Sequence, residues 1–186
     1  MRHYNAHQSE DGFSLLELII IMVFVGILSA VSVPSFLAAN QKNQVTNDLN
    51  SAKSALTEAQ RGAMRRGADC QLDFDYSANN VTPPTISSTS SNCLSTGIRI
   101  LDNVSMRVST NNTSLSVLTS ANTSSLTFDY LGNLSGTTLI TIVLRQKSDT
   151  GSSSQQCLVI SQPLGLIASG KYTGTSTTDI ASNCTP

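Results

Sequence analysis

The sequence contains no tryptophan and only two histidines, His3 and His7, both within its first twelve residues. If that stretch is removed no imidazole remains, and most acid–base and zinc chemistry loses its usual residue. Charge is also scarce. Only 12% of the 186 residues are Asp, Glu, Lys or Arg, with 11 basic against 12 acidic, a formal charge of −1. No strong global field then draws nucleic acid or anionic lipid. Aromatics make up 5%. No nucleophile–base pair, phosphate loop or nucleotide fingerprint is present, so no enzyme, metal or cofactor is expected. No internal repeat points to a solenoid.

What is abundant is hydroxyl. Ser (29) and Thr (20) exceed a quarter of the chain. That bias alone would suggest disorder, but the 39% apolar residues are grouped in runs that can build a core. The length suits one ordinary domain and not two good-sized ones.

The apolar runs begin abruptly. Residues 1–12, MRHYNAHQSEDG, are polar and end in glycine. Phe13–Val33 then reads FSLLELIIIMVFVGILSAVSV with a single charge, Glu17. Such a helix spans roughly 30 Å, enough to cross the hydrocarbon of a bilayer. A cleaved secretory signal is the alternative, with small residues after the run in LSAVSVPSF. It leaves Glu17 and the break at Gly12 without a role. A carboxylate inside an apolar span costs a few kcal/mol or so unless it meets the interface or a partner, which makes Glu17 a functional candidate.

The string G-FSLLELI, Gly12 to Ile19, resembles the prepilin processing motif of type IV pilins and type II secretion pseudopilins. The resemblance implies that a prepilin peptidase/N-methyltransferase cuts after Gly12 and methylates Phe13. It implies that Glu17, fifth in the mature chain, pairs with the N-terminal amine of Phe13 in a neighbouring subunit during assembly. The physics agrees, since a carboxylate and an ammonium each lose hydration alone and offset that loss only together. Removing the leader takes away Arg2, Glu10 and Asp11, leaving ten charges of each sign. Arg2 opposed by two acids is a weak positive-inside signal. A cytoplasmic leader therefore rests on the resemblance.

Pro34 ends the apolar run, and its missing N–H should kink or locally melt the helix there. From residue 35 to 67 the pattern is amphipathic. Val45, Leu49, Ala52, Leu56, Ala59 and Ala63 recur at steps of four and three, one apolar stripe at helical spacing. Arg61, Arg65 and Arg66 fall in the last turns, where they oppose the negative end of the macrodipole, and Gly67 fits C′. That basic cluster also admits a phosphate contact.

Beyond Gly67 the period becomes two. Candidate strands are 70–74, 97–101, 104–109, 114–118, 125–130, 138–144 and 156–161. Turns are expected at Asn111-Asn112, Leu131-Gly132-Asn133 and Asp149-Thr150-Gly151, and loops over 77–91 and 170–182. The fold class is therefore α+β. A leader (1–12), an apolar transmembrane helix (13–34) and its amphipathic continuation (35–67) precede a β-rich head (68–186). The family resemblance implies a pilin-like fold, with one long N-terminal helix packed on an antiparallel β-sheet.

Cys70, Cys93, Cys157 and Cys184 all follow the apolar span, and none forms a C-x-x-C pair. An even number on the exported side suggests disulfides, with three pairings open. Cys70–Cys93 and Cys157–Cys184 are preferred because each closes a local polar loop; free buried thiols are the alternative.

Two further passages, LNSAKSALTEAQRGAMRRGADCQLDF and LTFDYLGNLSGTTLITIVL followed by CLVISQPLGLIASGKY, resemble the GspH/FimT group of minor pilins and pseudopilins. Members of that group initiate pili, serve secretion pseudopili or bind DNA for uptake. The resemblance implies other pilin subunits and the pilus or secretion machinery as partners. It places the chain in the bacterial inner membrane as a single-pass protein, head in the periplasm, and then in an extracellular filament. For DNA the candidates are Arg145, Lys147 and Lys171, with Arg99 and Arg107. From Arg61 onward eight basic residues face seven acidic ones, so no electrostatic footprint stands out. Solvated strand ends that protect a sheet edge are the competing reading. Asp73 and Asp75 share a strand face and could hold calcium with loop carbonyls, or could simply be solvated.

Overall fold

The computed structural model describes residues 12–75, 83–89, 93–95, 97–110, 123–136, 139–147, 155–174 and 180–185. The chain divides into two units, Met1–Asn40 and Gln41–Pro186. One helix, α1 (Leu15–Arg66), contributes to both.

In the first unit the described backbone is non-helical at Gly12–Ser14 and helical from Leu15 onward. The Leu18 amide bonds back to the Ser14 carbonyl at 3.2 Å. Position 34 lies within α1, while the side chains of 31–34, where a proline kink is expected, are outside the described residues. The leader, residues 1–11, also lies outside them.

In the second unit α1 presents the stripe that its periodicity predicts. Val45, Ala52, Leu56, Ala59 and Ala63 are fully buried and Leu49 nearly so, and Ala55 widens the buried face. Four of these positions are alanine, and all four are fully buried in the core shared with the sheets. Gly67 ends the helix with φ of 62°, and the Ala68 amide reaches back to the Ala63 carbonyl at 3.4 Å, a Schellman closure.

Ten strands follow: β1 (Cys70–Asp75), β2 (Thr85–Ser88), β3 (Arg99–Ile100), β4 (Val104–Thr110), β5 (Thr123–Phe128), β6 (Leu134–Ser135), β7 (Leu139–Gln146), β8 (Gln156–Ser161), β9 (Leu166–Tyr172) and β10 (Cys184–Thr185). They form two antiparallel sheets and not one. The first has the order β3-β2-β1-β5-β6 and the second β10-β9-β8-β7-β4. Alternation decides which side chains face inward. Cys70, Leu72 and Phe74 of β1, Leu126 and Phe128 of β5, and Ile140, Ile142 and Leu144 of β7 join the α1 stripe in one core. The chain is thus α+β, a long helix packed on antiparallel sheets.

Four short or small-residue strands depart from the sequence reading. β2 sits in the segment read as a loop over 77–91, where Ile86 is its one buried apolar side chain. β9 extends through Gly170–Tyr172, read as the start of a loop, because Gly170 and Lys171 break the apolar alternation although both pair with β8. β6 and β10 are two residues each, too short for any period. The strand expected at 114–118 and the turns at 111–112 and 149–151 lie outside the described residues.

Both disulfides close local loops. Cys70 is bonded to Cys93 and Cys157 to Cys184, with Cα separations of 5.8 and 5.9 Å. The second ties the C-terminal segment to the far face of the second sheet. There Val143, Cys157, Tyr172 and Ile180 make a small separate core.

Candidate functional site

The N-terminal unit shows its chemistry by what is uncovered. Every described side chain from Phe13 to Ala30 is exposed. Phe13 is 79% and Leu15 78% accessible. Among the described residues α1 alone is long and apolar enough to cross a membrane. So continuous an apolar surface is unfavourable in water and needs lipid or other helices around it. Glu17 is the acid in the first turn of α1. There its negative charge suits the positive end of the macrodipole. Gly12, immediately before Phe13, has nothing within 4 Å of where a Cβ would stand. Gly12 is non-helical, and the described side chains of the first turn after it are uncovered.

In the head, polar side chains of α1 fix the sheets from several sides. Gln60 Nε2 donates to the carbonyls of Gly132, Leu164 and Gly165 at 2.8, 3.2 and 3.3 Å. That one amide joins the β5–β6 turn to the β8–β9 turn. Glu58 accepts from the Ser95 amide at 2.6 Å and from Arg99 at 3.0 Å. Hydrogen bonding by Ser95 first, aided by Arg99, holds the Glu58 carboxyl below its ordinary range. Asp48 is the opposite case. Burial raises its pKa, the Asn103 amide opposes that, and the Asp102 charge adds to it.

The cations considered for DNA are dispersed. Arg99 is taken by Glu58. Arg145 pairs with Ser105 across β7 and β4 and donates to its hydroxyl at 3.0 Å. Arg107, two residues further along β4, lies on that same face and donates to Gln155 Oε1 at 3.1 Å. Burial, and then the neighbouring Arg145 charge, lowers the Arg107 pKa, while Tyr172 acts the other way. Lys147 is exposed just beyond β7. Lys171 belongs to the other face. Cys157 pairs with Gly170 on the side of Val143 and Arg145, so the next residue of β9 turns toward α1. The sheet therefore brings Arg107 and Arg145 together and separates Lys171 from them.

The remaining candidates are accounted for within the head. Arg61 and Arg65 are exposed, whereas Arg66 bonds back to the Gly62 carbonyl at 3.2 Å and lies against Cys93 Sγ. Asp73 accepts from Gln71 and from Thr89, and Asp75 is exposed at the end of β1. Among the described residues no group of three His, Cys, Asp or Glu side chains converges on a metal position. Sequence reasoning passed over Gln60 and Gln155, because neutral amides carry no motif.

No family model matches the chain, and no curated protein matches it. Among solved structures it is similar to the type IV minor pilin FimU of Pseudomonas aeruginosa, at 17% identity and a TM-score of 0.45. The match covers 68% of this chain and 87% of that one.

Proposed function

We propose that this chain is a type IV pilin-like subunit of the minor kind. It is held in the bacterial inner membrane by Phe13–Val33 with its head in the periplasm, cut after Gly12, and polymerised through α1. The observation that supports this reading is a register. Gly12, Phe13 and Glu17 stand at the mouth of a 52-residue helix. The described side chains of its first half are uncovered, and its second half is buried against two sheets. A peptidase needs the exposed junction, and a filament needs uncovered helices that cover one another. Its partners on this reading are other pilin subunits, the prepilin peptidase/N-methyltransferase and the assembly machinery. A type II secretion pseudopilin uses the same chemistry and differs in the machine it serves.

Replacement of Glu17 tests the assembly step. Glu17→Ala is expected to leave cleavage largely intact and to reduce incorporation into filaments strongly, as a buried amine left without its carboxylate would require. Undiminished incorporation of that variant would remove the amine–carboxylate account. A second reading, a receptor for DNA on the filament surface, draws on Arg107 and Arg145, which share a face with no carboxylate bonded to either among the described residues. It expects binding that weakens steeply with salt and is lost in the double variant Arg107→Gln, Arg145→Gln.

A further inference from the structure

The first sheet ends at β3, which pairs with β2 on one side and with no strand on the other among the described residues. The ladder shows which backbone groups are left over. The Leu101 amide donates to the Pro84 carbonyl at 2.9 Å, and bonded and non-bonded pairs alternate along an antiparallel ladder. Arg99 is therefore the bonded partner of Ile86, and Ile100 the non-bonded partner of Thr85. The N–H and C=O of Ile100 point away from β2, as do those of Ile98 two positions back. None of these groups is bonded among the described residues.

The side chains along this edge are of two kinds. Ile98 and Ile100 are 60% and 55% exposed, and an open edge carrying uncovered aliphatic side chains is one that soluble proteins ordinarily avoid. Beside Ile100 on the outer face stand Thr85 and then Asp75, so no apolar cluster of the head receives it. Arg99 turns the other way, opposite the buried Ile86, and meets Glu58 of α1 at 3.0 Å. Arg61 and Arg65 follow Glu58 on the same side of α1, at helical spacing. Both are exposed and neither has an ion-pair partner among the described residues. Positive charge is thus in excess on the α1 side of the edge.

We infer that β3 is a docking edge for an extended segment of another protein, one that alternates apolar and acidic residues. The segment's backbone completes the ladder at Ile98 and Ile100, the main-chain part of strand addition. Its apolar side chains cover the two isoleucines on the outer face. Its acidic side chains, on the opposite face with Arg99, meet the excess of guanidinium charge along α1. A second copy of this chain is the poorer occupant. Antiparallel self-pairing about Arg99 would set that arginine against its own copy, and like charges directly opposite are destabilising. The inference rests on the head alone and stands whether or not the chain is processed or assembled.

The test is an NMR titration of the full, 15N-labelled chain in uncharged maltoside micelles with a capped pentapeptide of alternating valine and glutamate. The amide resonances of Ile98 and Ile100 are expected to shift saturably, and their hydrogen exchange to slow by about tenfold or more. The same peptide N-methylated at its valines, the residues that bond β3, is expected to bind about tenfold more weakly or worse. So is the peptide with lysine in place of glutamate. Ile100→Pro removes an outward N–H while leaving the Arg99–Ile86 pair in place, and is expected to weaken binding about as much. Lys147→Gln, exposed just beyond β7 of the other sheet, is expected to leave binding unchanged. The peptide series decides the question on the parent chain even where the proline variant fails to fold. No saturable shift, or equal binding of the N-methylated or the lysine peptide, overturns the inference. Protection of Ile100 that arises without peptide and grows with protein concentration assigns the edge to a second copy, and overturns it too.

Discussion

Gln60 of α1 and Gly165 of the β8–β9 turn hold each other in place. The glutamine amide donates to the Gly165 carbonyl at 3.3 Å, and the same nitrogen would stand 2.9 Å from a Cβ at Gly165. Gly132 O and Phe128 Cε1 would each stand 3.0 Å from it, and the backbone there has φ of 61°. Only glycine meets both conditions.

Gly165→Ala is therefore expected to destabilise the head by about 2–4 kcal/mol, from left-handed backbone strain and crowding together. Gln60→Ala leaves three carbonyls without their donor and is expected to cost about 1–3 kcal/mol. Urea unfolding of the two variants checks both. An unchanged midpoint for Gly165→Ala would show that the turn repacks freely.

The Asp48 and Glu58 carboxyls give opposite pH dependences. Burial raises the folded pKa of Asp48 above its ordinary 3.8. That carboxyl thus costs stability at neutral pH, and the cost disappears as pH falls through the raised value toward 3.8. Asp48→Asn, which keeps an acceptor for the Asn103 amide, is expected to be more stable than the parent at pH 7 and equal to it below about 3.8. Glu58 is lowered from 4.5. Its contribution is present above 4.5 and is lost as pH falls through the lowered value, so Glu58→Gln is expected to be less stable at pH 7. Stability curves across pH 3–7 for the two variants should bend in opposite senses; parallel curves would contradict this assignment.

The disulfides separate residues 23 and 27 positions apart in sequence. Loop-closure entropy assigns each about 3 kcal/mol. Cys157→Ser with Cys184→Ser is expected to lose about that much and also to free β10 and Ile180 from the far face of the second sheet. Hydrogen exchange at Tyr172 checks the second effect. Its amide bonds to the Gln155 carbonyl at 3.1 Å under that cover. Protection of Tyr172 equal to the parent's would show that the C-terminal segment stays in place without the bond.

At the junction before Phe13, a bulky residue in place of glycine should obstruct cleavage. Gly12→Leu is expected to leave most of the chain uncut in membranes of a host with its peptidase, seen as a mass larger by the leader. Normal processing of Gly12→Leu would place the cut elsewhere.

The parts of the fold legible in the sequence are those with a strong period. The α1 stripe from Val45 to Ala63 is buried along its whole length because each residue had neighbours three or four positions away to confirm it. β8 over Gln156–Ser161 and β4 from Val104 stand where their sequence alternation placed them, although both faces of β4 are covered. β2 and β9 were not legible, since Ser, Thr, Gly and Ala occupy a strand held mainly by backbone pairing and tertiary packing. The division into two sheets was hidden as well, because pairing partners such as β1 and β5 are far apart in sequence. Around the candidate site, Glu17 stands out in the sequence as a charge in an apolar run, and the role proposed for it rests on that position. Gln60 and Gln155 do not stand out, because an amide's role depends on which carbonyls and guanidinium the fold brings to it.

The central claim is that this chain is processed and then assembled. Mass spectrometry of the N-terminal peptide, in sheared surface filaments and in membranes, tests it most directly. The account predicts a peptide beginning at methylated Phe13 in the filaments, at lower abundance than a major pilin. A peptide that retains residues 1–12 in both fractions would contradict it.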